Sequence, residues 1–546
     1  MSMSLKTFQP SFGAAVQLNV RCLVGLYGSN RDDNLDDTFS ALLDQDRGEN
    51  DILQYALNAD DADKVSFLVG SQSLKQNASQ ITLVTLTESD NIQATHLSKQ
   101  IFAHPDGEVI GLTALAAQPD WFVSTFSTYS PDQPELRTGA RVWKLPANGG
   151  SLSESPQTKD TLMVTENFNT YSPTPHSGAL DYVTTLPLNN YSGIRKITAH
   201  PSTTSADLAC VVGPPVNTGS GPTAHITTPT NLATSYLVIL QAPSESGCGD
   251  YREAASAKLC LPSSDHIFTS YLKTNLGHLC KTLNSTNQVA VTSPPNAVRW
   301  SSYQQAGQIA VAFDSGILGW DVRSMQPSFW LEAAHWPCVR DLDFNPHRPN
   351  LVVTGGDDGC IRLWDLRYLK SKLRTADPAS RMNLKSSNHN LFGTSDGATE
   401  PVYSIQSHSH WVWSVRYHPT RDQLLLSAGS DCRVCVYNLS NFSSDAVLDA
   451  ELAVSGSVLE PSKTEAEQDN FSSAHSDGDD DESVKSNKIR DGLIARLEQH
   501  EESVYAAEWS PVDPWYFASV SYDGNLLINQ VPEPVKLNIL LQSKED

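Results

Sequence analysis

Nowhere in the 546 residues does an apolar run approach the roughly 20 residues that cross a bilayer, so no membrane span is expected. The first ten residues, Met1–Pro10, lack the charged-then-apolar order of an export signal, and a cytoplasmic chain is expected. Nine cysteines are scattered in an odd number without framework spacing, which argues against a disulfide scaffold and for a reducing compartment. Basic residues are scarce. Lys and Arg number 38 against 62 Asp and Glu, giving a net charge of −24 and a pI near 4.9. Nucleic acid is thereby disfavoured as a main ligand, because counterion release needs a basic surface. No glycine-rich phosphate loop is present; the glycines cluster at turns. Metal spacing is missing too. Cys432 and Cys435 form a lone Cys-x-x-Cys without a second pair, and His408 and His410 lie two apart without a third ligand nearby. Neither a cofactor nor a metal is expected.

What the chain does have is a repeat. Three stretches, His335 to Trp364, His408 to Tyr437 and His500 to Asn529, share one order of residues. A His is followed four residues later by Val339, Val412 or Val504, and an apolar-polar alternation then leads to Pro346, Pro419 or Pro511. Thr354, Ser427 or Ser519 sits on the next strand, with Asp358, Asp431 or Asp523 four residues beyond. An aromatic closes two of the three units, Trp364 and Tyr437. Val339–Phe344 reads as a strand with one buried face, and Leu351–Thr354 as a short strand buried on both. Asp357-Asp358-Gly359 supplies the tight hairpin, where glycine accepts a positive φ. Short strands repeated at fixed spacing with fixed turn residues predict an all-β chain folded as a β-propeller.

The units resemble the WD repeat, and two keep its dipeptide, Trp320-Asp321 and Trp364-Asp365. The resemblance implies a buried hydrogen-bonded set in each blade: His335, Thr354, Asp358 and Trp364; His408, Ser427, Asp431 and Tyr437; His500, Ser519 and Asp523. A hydroxyl, an imidazole and a carboxylate also compose a catalytic triad, but a set that recurs blade after blade reads as structure, with buried polar groups satisfying one another. No enzyme is expected.

Seven blades of about 40–45 residues need roughly 300 residues, so the excess is assigned to insertions. The expected organisation is an N-terminal segment over 1–60, blades 1 and 2 over 61–146 and a divergent blade 3 over 147–240. An insertion over 241–290 has one candidate strand, His266–Leu272. Blades 4 and 5 follow over 291–366, a basic and polar insertion over 367–400 and blade 6 over 401–440. An acidic insertion over 441–490 precedes blade 7 and a tail over 491–546. Blade 3 is expected to use Ile194–Ala199, Leu208–Val212 and Tyr236–Leu240. In blade 4, Ala310 stands where the hydroxyl is expected, and in blade 7 Asn529 stands where Trp is expected. Val16–Leu26 and Leu537–Leu541 are candidate strands to close the ring, since an open sheet edge is a liability. The insertions hold few large apolar residues and are expected to be disordered. The acidic one carries Asp477-Gly478-Asp479-Asp480-Asp481-Glu482, and Ser476 with Asp479 three residues on suits an acid-directed kinase; a solvated loop is the simpler reading.

Longer strings narrow the resemblance. Phe67-Leu-Val-Gly-Ser-Gln-Ser-Leu-Lys75, Gly319-Trp-Asp-Val-Arg-Ser-Met325, Val339–Pro346, His408-Ser-His-Trp-Val-Trp413, Asp422–Leu426, Asp513-Pro-Trp515 and Ser521-Tyr-Asp-Gly524 together resemble the EARP and GARP complex-interacting protein family. The likeness is strong over 291–366, 400–440 and 490–541, patchy over 60–145 and nearly lost over 146–290. It implies a monomeric, non-catalytic scaffold that docks on two tethering complexes, the endosome-associated recycling complex and its Golgi-associated retrograde relative. It further implies a peripheral location at endosomes and the trans-Golgi network, with roles in recycling, retrograde transport and dense-core vesicle cargo sorting. Candidate interface anchors are Trp336, Trp411, Trp413 and Trp515, although aromatics near strand starts also pack between blades. A different class is a substrate receptor of a cullin–RING ubiquitin ligase. Its adaptor contacts are carried by Trp-Asp-x-Arg boxes, and this chain has two in consecutive blades, ending at Arg323 and Arg367.

Overall fold

A computed structural model describes residues 12–15, 20–27, 64–72, 79–89, 94–130, 133–146, 179–216, 234–243, 250–260, 291, 293–303, 307–368, 400–444 and 491–542. The candidate strand His266–Leu272, the basic run from Lys370 to Lys385 and the acidic run with Ser476 lie outside the described residues.

Seven antiparallel sheets of four strands each form seven blades around a central channel. The innermost strands are Val20–Gly25, Glu108–Ala114, Ile194–Ala199, Pro295–Trp300, Val339–Phe344, Val412–Tyr417 and Val504–Trp509. Each touches the next, and the last touches the first. The second strand of a blade lies in the middle of its sheet, with a neighbouring blade on either face. Leu351–Gly356, Leu424–Gly429 and Tyr516–Ser521 are accordingly buried along their whole length, as a strand covered on both sides requires.

The core lies between blades rather than within any one. Val353, Ile361 and Leu363 of the fifth blade, for example, pack on Val412, Val415, Tyr417 and Cys435 of the sixth. Equivalent clusters join every other neighbouring pair. A single blade therefore cannot bury its faces alone, and the ring is stable only when closed.

Closure differs from the sequence expectation. Phe12–Ala15 pairs antiparallel with Asn525–Gln530 and is the outer strand of the seventh blade, with Phe12 opposite Ile528. The stretch 16–26 supplies the innermost strand of the first blade instead. Leu537–Leu541 is not a strand: it lies in helix α1, Glu533–Gln542. Pro534 in the first turn tolerates a missing N–H, and Val535 and Ile539, four apart, face Trp515 and Val531.

The blade boundaries also shift by one strand. Outer strands come from the segment after each repeat: Asp181–Thr185 completes the second blade, Arg252–Lys258 the third, Tyr403–Ile405 the fifth and Gly492–Leu497 the sixth. Arg252–Lys258 falls inside the stretch read as an insertion over 241–290. These strands pair on one side only and bury little, so they carry weak apolar patterns. The three inner strands of the divergent third blade lie where expected, as Ile194–Ala199, Leu208–Val212 and Tyr236–Gln241.

Gly359 and Gly524 turn their hairpins at φ 72° and 83°, but the sixth blade places Cys432 there at φ 62°. A left-handed L-residue costs about 1–2 kcal/mol. Cys432→Gly is expected to raise the unfolding free energy by about 1 kcal/mol after glycine's larger entropy loss is allowed for, read by urea denaturation. A variant less stable than the parent refutes this account.

Candidate functional site

The blade networks come first because they decide whether chemistry is in play. In the fifth blade His335 Nε2 lies 2.7 Å from Thr354 Oγ1, His335 Nδ1 lies 2.8 Å from Asp358 Oδ1, and Trp364 Nε1 donates to Thr354 Oγ1 at 2.9 Å. In the sixth, His408 joins Asp431 at 2.9 Å and Ser427 at 2.7 Å, and Tyr437 Oη meets Ser427 Oγ at 3.2 Å. The seventh is looser. His500 Nε2 lies 2.8 Å from Ser519 Oγ but its Nδ1 is 3.9 Å from Asp523, and the buried Asn529 side chain finds no partner among the described residues. Each hydroxyl is fully or almost fully buried. A hydroxyl sealed in the blade interior cannot reach a substrate, so these sets hold blades together.

Sequence reasoning missed a fourth network. His104 Nε2 lies 2.9 Å from Ser124 Oγ, which also accepts from Trp143 Nε1 at 2.8 Å. The signal was present in His104, Ser124 and Trp143, but a long hairpin between Trp121–Ser130 and Gln133–Lys144 lengthens the usual spacing. In the fourth blade Val291 and Val311 occupy the His and hydroxyl places, since Val311 pairs with Val298 as Thr354 pairs with Leu342. Ala310, expected there, lies one residue off and faces the other side of the sheet, and the buried Trp320 Nε1 has no partner among the described residues.

The channel, about 750 Å³, is lined in tiers by the seven innermost strands. Every one of these strands carries a β-bulge near its start, at the second residue in six and at the third, Ile110, in Glu108–Ala114. A bulge leaves a residue unpaired and re-aims its side chain. The bulged residues are Arg21, Ile110, Arg195, Asn296, Arg340, Trp413 and Tyr505, and all seven line the channel mouth. The next tier is mostly small, with Lys196 and Asp341 as its charged members. Below it, Arg299, Asp343, Arg416 and Glu508 alternate in sign over four consecutive blades. Arg416 Nε donates to Glu508 at 2.9 Å, its Nη1 pairs with Asp341, and Arg299 lies 3.6 Å from Asp341. Burial pushes Asp341 up to about 6 and Asp343 and Glu508 to about 7, against the pull of Arg299. Arg299, Asp341, Arg416 and Glu508 thus form a chain of ion pairs across four blades.

The mouth opens onto the face where the innermost strands begin, and aromatics crowd its edge. Trp411 and Trp413 meet at 5.7 Å between ring centres, Trp413 and Tyr505 at 5.2 Å, and Tyr505 and Tyr522 at 6.1 Å. The Arg340 guanidinium lies 4.7 Å from the centres of both Trp411 and Trp413, and Asp357 holds it through two hydrogen bonds. Arg21 covers the Tyr505 ring at 4.9 Å. Such stacking orients a cation without neutralising it, although Asp357 balances the charge of Arg340. Trp336 is 72% exposed, Tyr522 42% and Trp411 38%.

Three of the four candidate tryptophans, Trp336, Trp411 and Trp413, thus gather at this face. Trp515 does not. It sits beyond the other end of its innermost strand, packed on His418 and beneath Lys536 of α1. Arg323 and Arg367 follow the third strands of the fourth and fifth blades, and both are exposed. Arg367 already pairs with Asp365 at 2.6 Å, and Arg323 borders a small cleft with Tyr303 and Asn350. Cys435 is buried in a strand while Cys432 lies on the hairpin turn.

Comparison with known proteins agrees with this architecture. The WD domain, G-beta repeat family matches residues 330–365, 399–438 and 492–528. The chain is 30% identical over 482 residues to the human EARP and GARP complex-interacting protein 1, covering 88% of this chain and 94% of that one. It is 30% identical over 489 residues to the zebrafish (Danio rerio) EARP-interacting protein homolog, with the same coverage. A WD repeat-containing protein of Arabidopsis thaliana, DWA2, is 29% identical over 232 residues, 42% of this chain and 48% of that one.

Proposed function

We infer the function from one premise: this chain belongs to the family of EARP and GARP complex-interacting proteins, whose human member it matches along 94% of that protein's length. It is a WD-repeat scaffold that binds the EARP and GARP tethering complexes through its surface and carries out no chemistry. Its work is endosomal recycling, retrograde transport to the trans-Golgi network and dense-core vesicle cargo sorting, and it acts as a cytoplasmic monomer recruited to those membranes. The supporting observation is the family match across the whole propeller. Consistent with peripheral recruitment, no helix among the described residues is long and apolar enough to cross a membrane.

Affinity purification of the tagged chain from cytosol tests this, with partners identified by mass spectrometry. Tether subunits shared by both complexes are expected, together with a recycling-specific or retrograde-specific one. Their absence overturns the reading.

A second reading, a cullin–RING ligase receptor, is favoured by the exposure of Arg323 and Arg367 at matching places on adjacent blades. Replacing both by Ala is expected to abolish binding of the ligase adaptor while leaving tether recovery intact. Adaptor binding unchanged by the double variant, or none by the parent chain, removes this reading.

A further inference from the structure

We propose that the bulge ring at the channel mouth, with the aromatics beside it, is the docking site for an extended acidic segment of a tether subunit. This deepens the tether-binding reading and rests on it.

Bulges at one position in all seven innermost strands are a property of the fold. The side chains placed on them are not fixed by it, because a bulged residue contributes nothing to the blade interior. Here the ring holds Arg21, Arg195, Arg340, Trp413 and Tyr505 and no acidic residue, in a chain of net charge −24. Arg340 is balanced by Asp357, and the other charged members of the ring are the arginines Arg21 and Arg195. Burial does not explain this composition, since Arg21 is exposed and Arg340, Trp413 and Tyr505 are half-buried.

The cations are also pre-set for a ligand. Arg340 is fixed between two indoles, and Asp357 takes its Nε and Nη2, leaving Nη1 without a hydrogen bond among the described residues. Arg21 lies flat on Tyr505. Side chains held in place lose little freedom on binding. Beside them Trp336, Trp411 and Tyr522 are exposed on the same face, and exposed aromatics next to arginine are the composition of interface hot spots. A peptide that sets carboxylates against Arg21 and Arg340 and apolar side chains on Trp411 and Tyr522 meets all of these groups. A nucleic acid fits less well. Glu501 and Glu502 stand exposed just before the seventh innermost strand, and a continuous phosphate backbone would run over them, whereas a peptide can place its charges locally.

The test uses the full tagged chain and two variants, Arg21→Glu with Trp411→Ala, and Trp336→Ala with Tyr522→Ala. All four positions are exposed, so both variants are expected to melt with the parent, and each is a check should the other fold poorly. Tether subunits recovered from cytosol are quantified, and the parent complex is cross-linked and mapped. Recovery is expected to fall at least about tenfold in the first variant, the loss of a hot-spot contact, and to weaken with added salt in the parent. Cross-links are expected from 336–340 and 411–413 to an Asp/Glu-rich stretch of a tether subunit. Parent recovery with both folded variants unimpaired overturns this proposal and leaves the tether-binding reading standing. Absence of tether subunits from the parent overturns both. Recovery that disappears on nuclease treatment, or cross-links to a basic segment, also overturns the acidic-peptide assignment.

Discussion

Thr354→Val is expected to lower the unfolding free energy by about 3 kcal/mol, because a buried donor or acceptor left without a partner costs about 1–3 kcal/mol and this change strands two. Val has the shape of Thr, so packing is kept and only the hydroxyl is lost. That hydroxyl is fully buried, accepts from Trp364 Nε1 at 2.9 Å and shares a proton with His335 Nε2 at 2.7 Å. The fourth blade shows that the network itself is dispensable: with Val291 and Val311 in the corresponding places, that blade is held by apolar contact around Trp320. A blade built without the His stands, whereas a blade with the His depends on its partner. Urea unfolding of the two proteins measures the difference, and a change below about 0.5 kcal/mol, the scale of an ordinary surface substitution, rules out an energetic role for the network.

The same contrast explains what was legible in the sequence. Inner strands announce themselves because a strand covered on both faces needs an unbroken apolar run, as in Leu351–Thr354 or Leu208–Val212, and the latter located a blade with almost no repeat signature. Outer strands such as Arg252–Lys258 and the four-residue closing strand Phe12–Ala15 are defined by backbone pairing, to which composition is nearly blind. Leu537–Leu541 has the composition of a strand, but the partners of Val535 and Ile539 make it a helix face. The channel mouth was hidden for a subtler reason. Val339-Arg-Asp-Leu-Asp-Phe344 reads as simple alternation, yet the buried apolar residues are Val339, Leu342 and Phe344, a step of three and then of two. The same step recurs in Val412, Val415 and Tyr417, and in Val504, Ala507 and Trp509. That step is the bulge, and it was on the page. What one sequence does not reveal is that the seven bulged residues meet around a single opening.

The sixth-blade network is expected to make stability depend on alkaline pH, and Asp431→Asn to remove that dependence. Burial opposes a charge on His408, but the Asp431 hydrogen bond at 2.9 Å outweighs it with help from the adjoining Cys435, and the imidazole rises to about 9. His335 has the same neighbours in the fifth blade and moves the other way: burial lowers it, assisted by the Arg362 guanidinium 2.8 Å from its Nδ1. Cys435 takes the place of Arg362 in the sixth blade, so one substitution within the repeat separates a His raised above the free value from one lowered below it. A folded value above the unfolded one, about 6.5 for a free imidazole, means that protonation favours the folded state. The stabilisation is complete below about pH 6.5 and is lost as pH rises through about 9, and a shift of this size corresponds to about 3 kcal/mol. Asp431→Asn is therefore expected to cost about that much at pH 6 and progressively less towards pH 9.5. Asp358→Asn provides the control. Burial lowers its partner His335 instead of raising it, so its cost should not fall between pH 7.5 and 9.5. Denaturant unfolding of the parent and both variants at pH 6, 7.5 and 9.5 reads the two gaps directly. A parent-to-Asp431→Asn gap that stays constant over this range would mean that His408 is not held charged, and the two blades would then be equivalent in spite of Arg362.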